Sequence, residues 1–209
     1  MSFPIHIVDD EHDIREAVSL LLESMQYQVY AHASGNDFLN HCQPTDLGLV
    51  LLDIRMPEVS GLRVQDIMIQ QGYIQPIIFM SGHADIPVAV ETVKKGALDF
   101  LEKPFKDLDL FACIERGFEK ISSQARELGD RAALEHNLAK LTAREQEVMM
   151  AIAEGLPNKL IARKFDISPR TIEIHRARVF QKMEVENAQQ LIRALMRFDK
   201  FTPSSQSHL

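Results

Sequence analysis

Tryptophan is absent from the 209 residues, and cysteine nearly so, with only Cys42 and Cys113. These two lie far apart and form no CxxC pair, which excludes a disulfide framework and a thiolate zinc site. Both fall in amphipathic helical stretches and read as reduced thiols of a core or its boundary. The eight histidines are scattered, and no pattern of Cys and His has metal-ligand spacing. No run approaches the ~18 apolar residues of a membrane span, so no membrane partner is expected. The N-terminus enters a strand pattern directly, without a basic and then apolar leader. The expected location is the cytoplasm.

The charge is unevenly spread. Residues 1–120 carry 9 Lys/Arg against 19 Asp/Glu, a net of −10, whereas residues 141–209 carry 11 against 8, a net of +3. An acidic first part suggests a cation site, and a basic last part suggests an anionic partner. The length and this asymmetry favour two domains.

Over the first 120 residues strand and helix patterns alternate. Strands are predicted at 5–9, 28–31, 48–53, 76–80 and 98–102, and helices at about 12–25, 35–42, 61–71, 87–95 and 107–120. In the first helix Ile14, Val18, Leu21, Leu22 and Met25 recur at spacings of three and four. Five such units with short loops predict an α/β, doubly wound, five-stranded parallel sheet.

The run Leu49-Val50-Leu51-Leu52 is apolar on both faces, as a buried parallel strand requires, and it ends in Asp53. Asp9 and Asp10 end the first strand, Ser81 the fourth, and the fifth leads into Lys103. Open α/β sheets place their ligands at such strand ends. Clustered carboxylates repel unless a cation neutralises them, and an all-oxygen set suits Mg²⁺. Asp53 is the candidate nucleophile toward phosphorus, with Lys103 and the Ser81 hydroxyl as holders of phosphoryl oxygens.

The segments Ile7-Val8-Asp9-Asp10-Glu11, Leu52-Asp53-Ile54-Arg55-Met56-Pro57, Met80-Ser81-Gly82-His83 and Gly96 to Phe105 carry a resemblance. Residues 4–120 resemble the CheY-like receiver domain of two-component response regulators. The resemblance implies that Asp53 accepts a phosphoryl group from a sensor histidine kinase. It implies that Asp10, Asp53 and the Arg55 backbone carbonyl ligate Mg²⁺, with Asp9 acting through water. It makes Ser81 and Phe100 a switch pair, Phe100 swinging inward to repack the 85–105 face. It also implies a cis Lys103–Pro104 bond.

Ile114, Phe118, Ile121, Ala125, Leu128 and Ala132 form a stripe at spacings of four and three, so the last receiver helix is expected to run on through a helical linker at 121–140. From 141 the chain reads as four helices. Thr142 and Glu145 predict a capping box, Gly155 a helix end, and Ser168-Pro169 a helix start. That helix carries Thr171, Glu173, His175, Arg176, Arg178 and Lys182 on its polar side. A short helix, a tight turn and an Arg-rich helix suit a helix-turn-helix reader of double-stranded DNA.

Residues 141–201 resemble the LuxR-type helix-turn-helix domain through Leu141 to Val148, Gly155 to Lys159, and Ile167 to Val179. The resemblance implies base contacts from Glu173, Ile174 and Ala177. It implies phosphate contacts from Thr171, His175, Arg176, Arg178 and Lys182. The last helix, at about 187–199 with Leu191, Ile192, Ala194 and Leu195, becomes a dimerisation element. One departure stands out: near the place where relatives have Gly, this chain reads Met183-Glu184-Val185-Glu186. Residues 202–209 read as a disordered tail.

Together the halves resemble the FixJ/NarL class, leaning to the FixJ branch. The implied function is a promoter-binding regulator, not an enzyme, that forms homodimers on phosphorylation, with slow self-dephosphorylation and RNA polymerase as a further candidate partner. A haloacid-dehalogenase-type phosphatase needs a second Asp two residues after its nucleophile, where this chain has Arg55. A phosphate-independent DNA binder is disfavoured by the full set Asp9, Asp10, Asp53, Ser81 and Lys103.

Overall fold

A computed structural model describes residues 3–82 and 86–198. The tail expected at 202–209, the end of the 141–201 segment, and His83 to Asp85 lie outside the described residues. The chain divides into two compact units, Met1–Ala125 and Arg126–Leu209.

In the first unit β1 (Ile5–Val8), β2 (Val29–His32), β3 (Leu49–Asp53), β4 (Ile77–Ser81) and β5 (Asp99–Glu102) form one sheet in the order β2-β1-β3-β4-β5. Every neighbouring pair is parallel. The helices are α1 (His12–Ser24), α2 (Gly35–His41), α3 (Gly61–Gln71), α4 (Ile86–Lys94) and α5 (Asp107–Ala139). Alternation along each strand feeds two cores. Leu49, Leu51, Ile78 and Met80 pack with Val18 and Leu22 of α1 and with Leu110 and Ile114 of α5. Val50, Leu52, Ile77 and Phe79 pack with Phe38 of α2 and with Val64 and Met68 of α3. Burial on both faces explains why these strands read as unbroken apolar runs.

The β and α boundaries in this unit fall within one residue of those expected, and α5 runs on as one helix to Ala139, but two apolar stripes are buried only in part. Met25 does not share the buried face of α1 and is 55 % exposed. The helix has already ended there: Gln26 takes a left-handed φ of 64°, and the Tyr27 N–H turns back to the Leu22 carbonyl at 3.1 Å. The α5 stripe also stops short. Ile114 and Ile121 are buried, but Leu128 is 51 % exposed and Ala132 is exposed. α5 is one helix of 33 residues, and the division between the units falls inside it. Past that division a different set, Leu134 and Leu138, enters the second core.

The second unit contains the end of α5, then α6 (Ala143–Ala153), α7 (Asn158–Phe165), α8 (Pro169–Lys182) and α9 (Ala188–Arg197). Val148, Ile152, Ile161, Ile172, Val179, Leu191 and Leu195 build its core. Leu191 and Leu195 are fully buried there, and Ile192 and Ala194 pack against the same cluster. Of the four residues expected to pair two chains, Leu191 and Leu195 are thus taken up by their own unit, while Ile192 and Ala194 are only half-buried. At the departure noted after α8, Glu184 takes the left-handed φ of 55° that commonly selects Gly.

Candidate functional site

Three strand ends converge in the first unit. Asp9 follows β1 and is fully buried, Asp53 closes β3 and is 5 % exposed, and Lys103 follows β5. The Lys103 Nζ donates to Asp9 Oδ2 and to Asp53 Oδ1, each at 2.6 Å. Glu11 Oε1 stands 3.8 Å from the same ammonium. The cluster is held from the backbone as well. The Glu11 N–H donates to Asp9 Oδ1 at 3.0 Å, and the Arg55 N–H to Asp53 Oδ2 at 2.6 Å. The Lys103 N–H bonds the Ser81 carbonyl at 2.7 Å, which ties β4 to the turn carrying Lys103, and the Lys103–Pro104 bond is cis.

One ammonium serves two buried carboxylates. Burial works against the Lys103 charge, yet hydrogen bonds and attraction from Asp53 and Asp9 hold its pKa above the ordinary lysine value. Asp53 fares differently. Burial raises its pKa most, Lys103 and the Arg55 N–H pull it down, Asp9 pushes it up, and it settles above the ordinary carboxylate value. Asp9 and Asp53 outweigh the single Lys103 charge, and Asp10, next to Asp9 in sequence, is exposed; oxygen is the donor type that a hard divalent cation takes.

Asp9, Asp53 and Lys103 are thus in direct contact. Ser81 is buried at the end of β4, and Asp10 and Arg55 are exposed. Phe100 is half-buried against the core that contains Val64 and Phe79. Glu11 was not singled out as a site residue, although its place in the Asp9-Asp10-Glu11 run marked it.

In the second unit Ser168 caps α8 by accepting from the Thr171 N–H, and Pro169 stands in its first turn. Glu173, Ala177 and Arg178 are exposed, and Ile174 is 48 % exposed, a large apolar side chain left on a polar face. Thr171, His175 and Arg176 are half-buried, with the Arg176 guanidinium 5.2 Å from the centre of the Phe180 ring. Arg170, exposed in the first turn, joins this face; the helix start signalled by Ser168-Pro169 directly precedes it.

Lys182, expected at a DNA phosphate, already has partners within its own unit. Its Nζ donates to Glu145 Oε2 at 2.6 Å and to the Lys140 carbonyl at 3.1 Å, so it is engaged inside its own unit. Glu145 is buried and also completes the capping box with Thr142. The Lys182 hydrogen bond first, then the Thr142 N–H, hold its carboxyl at about 2.

Residues 5–115 match the response regulator receiver domain, and residues 139–195 match the luxR family of bacterial regulatory proteins. This chain belongs to the response regulators. The transcriptional regulatory protein FixJ of Azorhizobium caulinodans is 39 % identical over 192 residues, 92 % of this chain and 91 % of that protein. The response regulator protein TodT of Pseudomonas putida strain F1 is 40 % identical over 194 residues, 92 % of this chain and 85 % of that one. The response regulator StyR has a structure similar at a TM-score of 0.83 and 32 % identity, covering 95 % of this chain and all of that one. Full-length FixJ from B. japonicum gives 0.59 at 37 % identity, covering 97 % of this chain and 100 % of that one. The chain is a two-component transcriptional regulator with a receiver and a LuxR-type DNA-binding domain. Among the described residues, no helix is long and apolar enough to cross a membrane.

For this response regulator, Lys182→Ala is expected to weaken the second unit more than its grip on DNA. Removing the ammonium leaves the buried Glu145 with only its capping bonds, at a cost of about 2 kcal/mol. Hydrogen exchange in α6 and α8 should speed up by roughly thirtyfold, while promoter affinity changes by less than about threefold. The folded pKa of Glu145 lies below its unfolded value. The charge contribution is therefore present above about pH 4.5 and is lost as pH falls toward about 2. Fast exchange in wild type and variant alike, or a large loss of DNA affinity, would contradict this role.

Proposed function

We propose that Asp53 is the phosphoacceptor of this regulator and that its phosphorylation controls promoter binding by a homodimer. The carrying observation is the shared ammonium: Lys103 bonds both Asp9 and Asp53 at 2.6 Å. Asp53 Oδ attacks the phosphorus of a kinase phosphohistidine. The new O–P bond forms as the P–N bond breaks, and the imidazole leaves with the electron pair. Lys103 turns from the carboxylate to a phosphoryl oxygen and offsets its charge. Mg²⁺, when bound, supplies further neutralisation of the phosphoryl oxygens. Asp10, Asp53 and the Arg55 carbonyl would hold it, with Asp9 as an outer support. The Ser81 hydroxyl takes another phosphoryl oxygen, and Phe100 repacks behind it. The phosphoryl group stabilises the active arrangement only through contacts it makes better there.

On DNA, the exposed face of α8 reads the major groove. Glu173, Ile174 and Ala177 meet base edges, and Glu173, an acceptor, favours a cytosine amino group. Arg170, Thr171, His175, Arg176 and Arg178 grip phosphates.

The test is intact mass after incubation with Mg²⁺ and a small acyl phosphate, comparing wild type with Asp53→Asn. The same samples go to light scattering and a promoter-binding assay. One phosphoryl group in the wild type alone, with dimers and DNA binding tightened at least about tenfold, is the expected result. An adduct that alters neither assembly nor DNA affinity leaves a phosphate-independent regulator.

A further inference from the structure

The scattered histidines are not all scattered in space. β2 ends in His32, and α2 begins three residues later with Ser34 as its cap, accepting from the Asp37 N–H. One helical turn separates Asp37 from His41, so both project from the same face. The three side chains converge: His32 Nδ1 is 3.5 Å from Asp37 Oδ2, and His41 Nδ1 is 3.1 Å from Asp37 Oδ1. One ligand atom from each residue falls within 4.8 Å of the other two. A tetrahedral ion with N and O ligands at its usual bond lengths sets those atoms about 3.3–3.5 Å apart. The side chains therefore need to move by roughly an ångström to meet one.

The geometry points to a site for one borderline transition-metal ion of the zinc(II) class, held by His32, Asp37 and His41. Three further features suit it. His6 Nδ1 lies 3.1 Å from His32 Nε2, so the far nitrogen of the buried ligand is already engaged. Such an outer partner orients a ligating imidazole and sets which nitrogen keeps the lone pair. The surrounding concavity also includes Tyr30 and Asp46 and is lined by no Lys or Arg that would compete for the carboxylate. The His32 side chain is 7 % exposed, Asp37 39 % and His41 68 %, so the ion has a protein floor, an open entry and room for water. His41 Nδ1 also lies 2.8 Å from the Asp37 carbonyl oxygen. In the metal-free protein that nitrogen donates its proton there. On binding, its lone pair turns to the ion, and the proton is carried on solvent-facing Nε2. Oxygen-seeking Mg²⁺ is poorly served by two imidazoles, so this site and the Asp53 site select different ions.

The experiment uses the full chain in millimolar Mg²⁺, with Zn²⁺ titrated calorimetrically and Co²⁺ followed by visible absorption. Variants are His41→Ala at an exposed position, Asp37→Asn at a half-buried one, and Asp53→Asn. One equivalent should bind the wild type and Asp53→Asn alike, and weaken at least about tenfold in the other two. The ¹⁵N resonances of His32 should shift on binding even in the wild type alone, a readout that does not depend on how the variants fold. No wild-type binding, equal binding in His41→Ala and Asp37→Asn, or loss confined to Asp53→Asn would overturn the assignment.

Discussion

Lys103→Met should destabilise the first unit by about 3–5 kcal/mol at neutral pH, the usual consequence of deleting one partner of a buried ion pair. The substitution keeps an unbranched apolar stem out to Cε, with sulfur in place of Cδ, and removes the ammonium. Asp9 and Asp53, both buried, then face each other with no cation between them. The sign with pH follows. Without the ammonium the folded pKa of Asp53 rises further above its unfolded value, so the native state binds more protons. Stability then falls as pH rises through the carboxylate range, and the penalty is full at pH 7 and shrinks in acid. Wild-type Asp53 already leans the same way, since its pKa is raised. Mg²⁺ should return part of the loss by neutralising the same carboxylates. Urea unfolding followed by tyrosine fluorescence measures this without interference from the second unit, because Tyr27, Tyr30 and Tyr73 all lie in the first. An unchanged midpoint at pH 7 would show that the ammonium is not what makes the buried acids tolerable.

Gly61→Ala should cost about 3 kcal/mol and also impair phosphorylation, although residue 61 carries no chemistry. A Cβ there would lie 2.1 Å from the Asp53 carbonyl oxygen and 3.2 Å from the Ile54 Cα. Those are backbone atoms and cannot rotate away. α3 starts hard against the end of β3, with the Gly61 N–H on the Ile54 carbonyl at 3.0 Å. Relief requires α3 to lift or β3 to shift, and a shift of β3 carries the Asp53 carboxylate away from Lys103. The same urea experiment gives the first effect, and the rate of mass gain with acyl phosphate gives the second. Normal phosphorylation in a destabilised variant would place the strain in α3 alone.

Much of the first unit was legible because β3 and β4 are buried on both faces and end in polar groups. A run such as Leu49 to Leu52 has few alternatives, and the acid after it falls at a strand end by construction. What could not be read depended on partners distant in sequence. Helical spacing grouped Leu128 with Ile121, but only the end of the first core decides that Leu128 stays exposed. Lys182 read as a cation for phosphate because nothing near it in sequence announces Glu145, 37 positions earlier. His32 and His41 carry no Cys and His ligand spacing, because their third member is a carboxylate and the fold of β2 onto α2 brings the three together. Leu191 and Leu195 showed an apolar face, but periodicity does not say whether the same chain or a second one covers it.

The Lys182–Glu145 pair also bears on how promoter affinity responds to salt. Each cation that meets a DNA phosphate displaces a condensed counterion and steepens the fall of log K with log salt by about 0.9. Lys182 neutralises a carboxylate within its own unit, so it displaces none. Each half-site should show a slope shallower by that amount than a tally of the basic residues on α8 suggests.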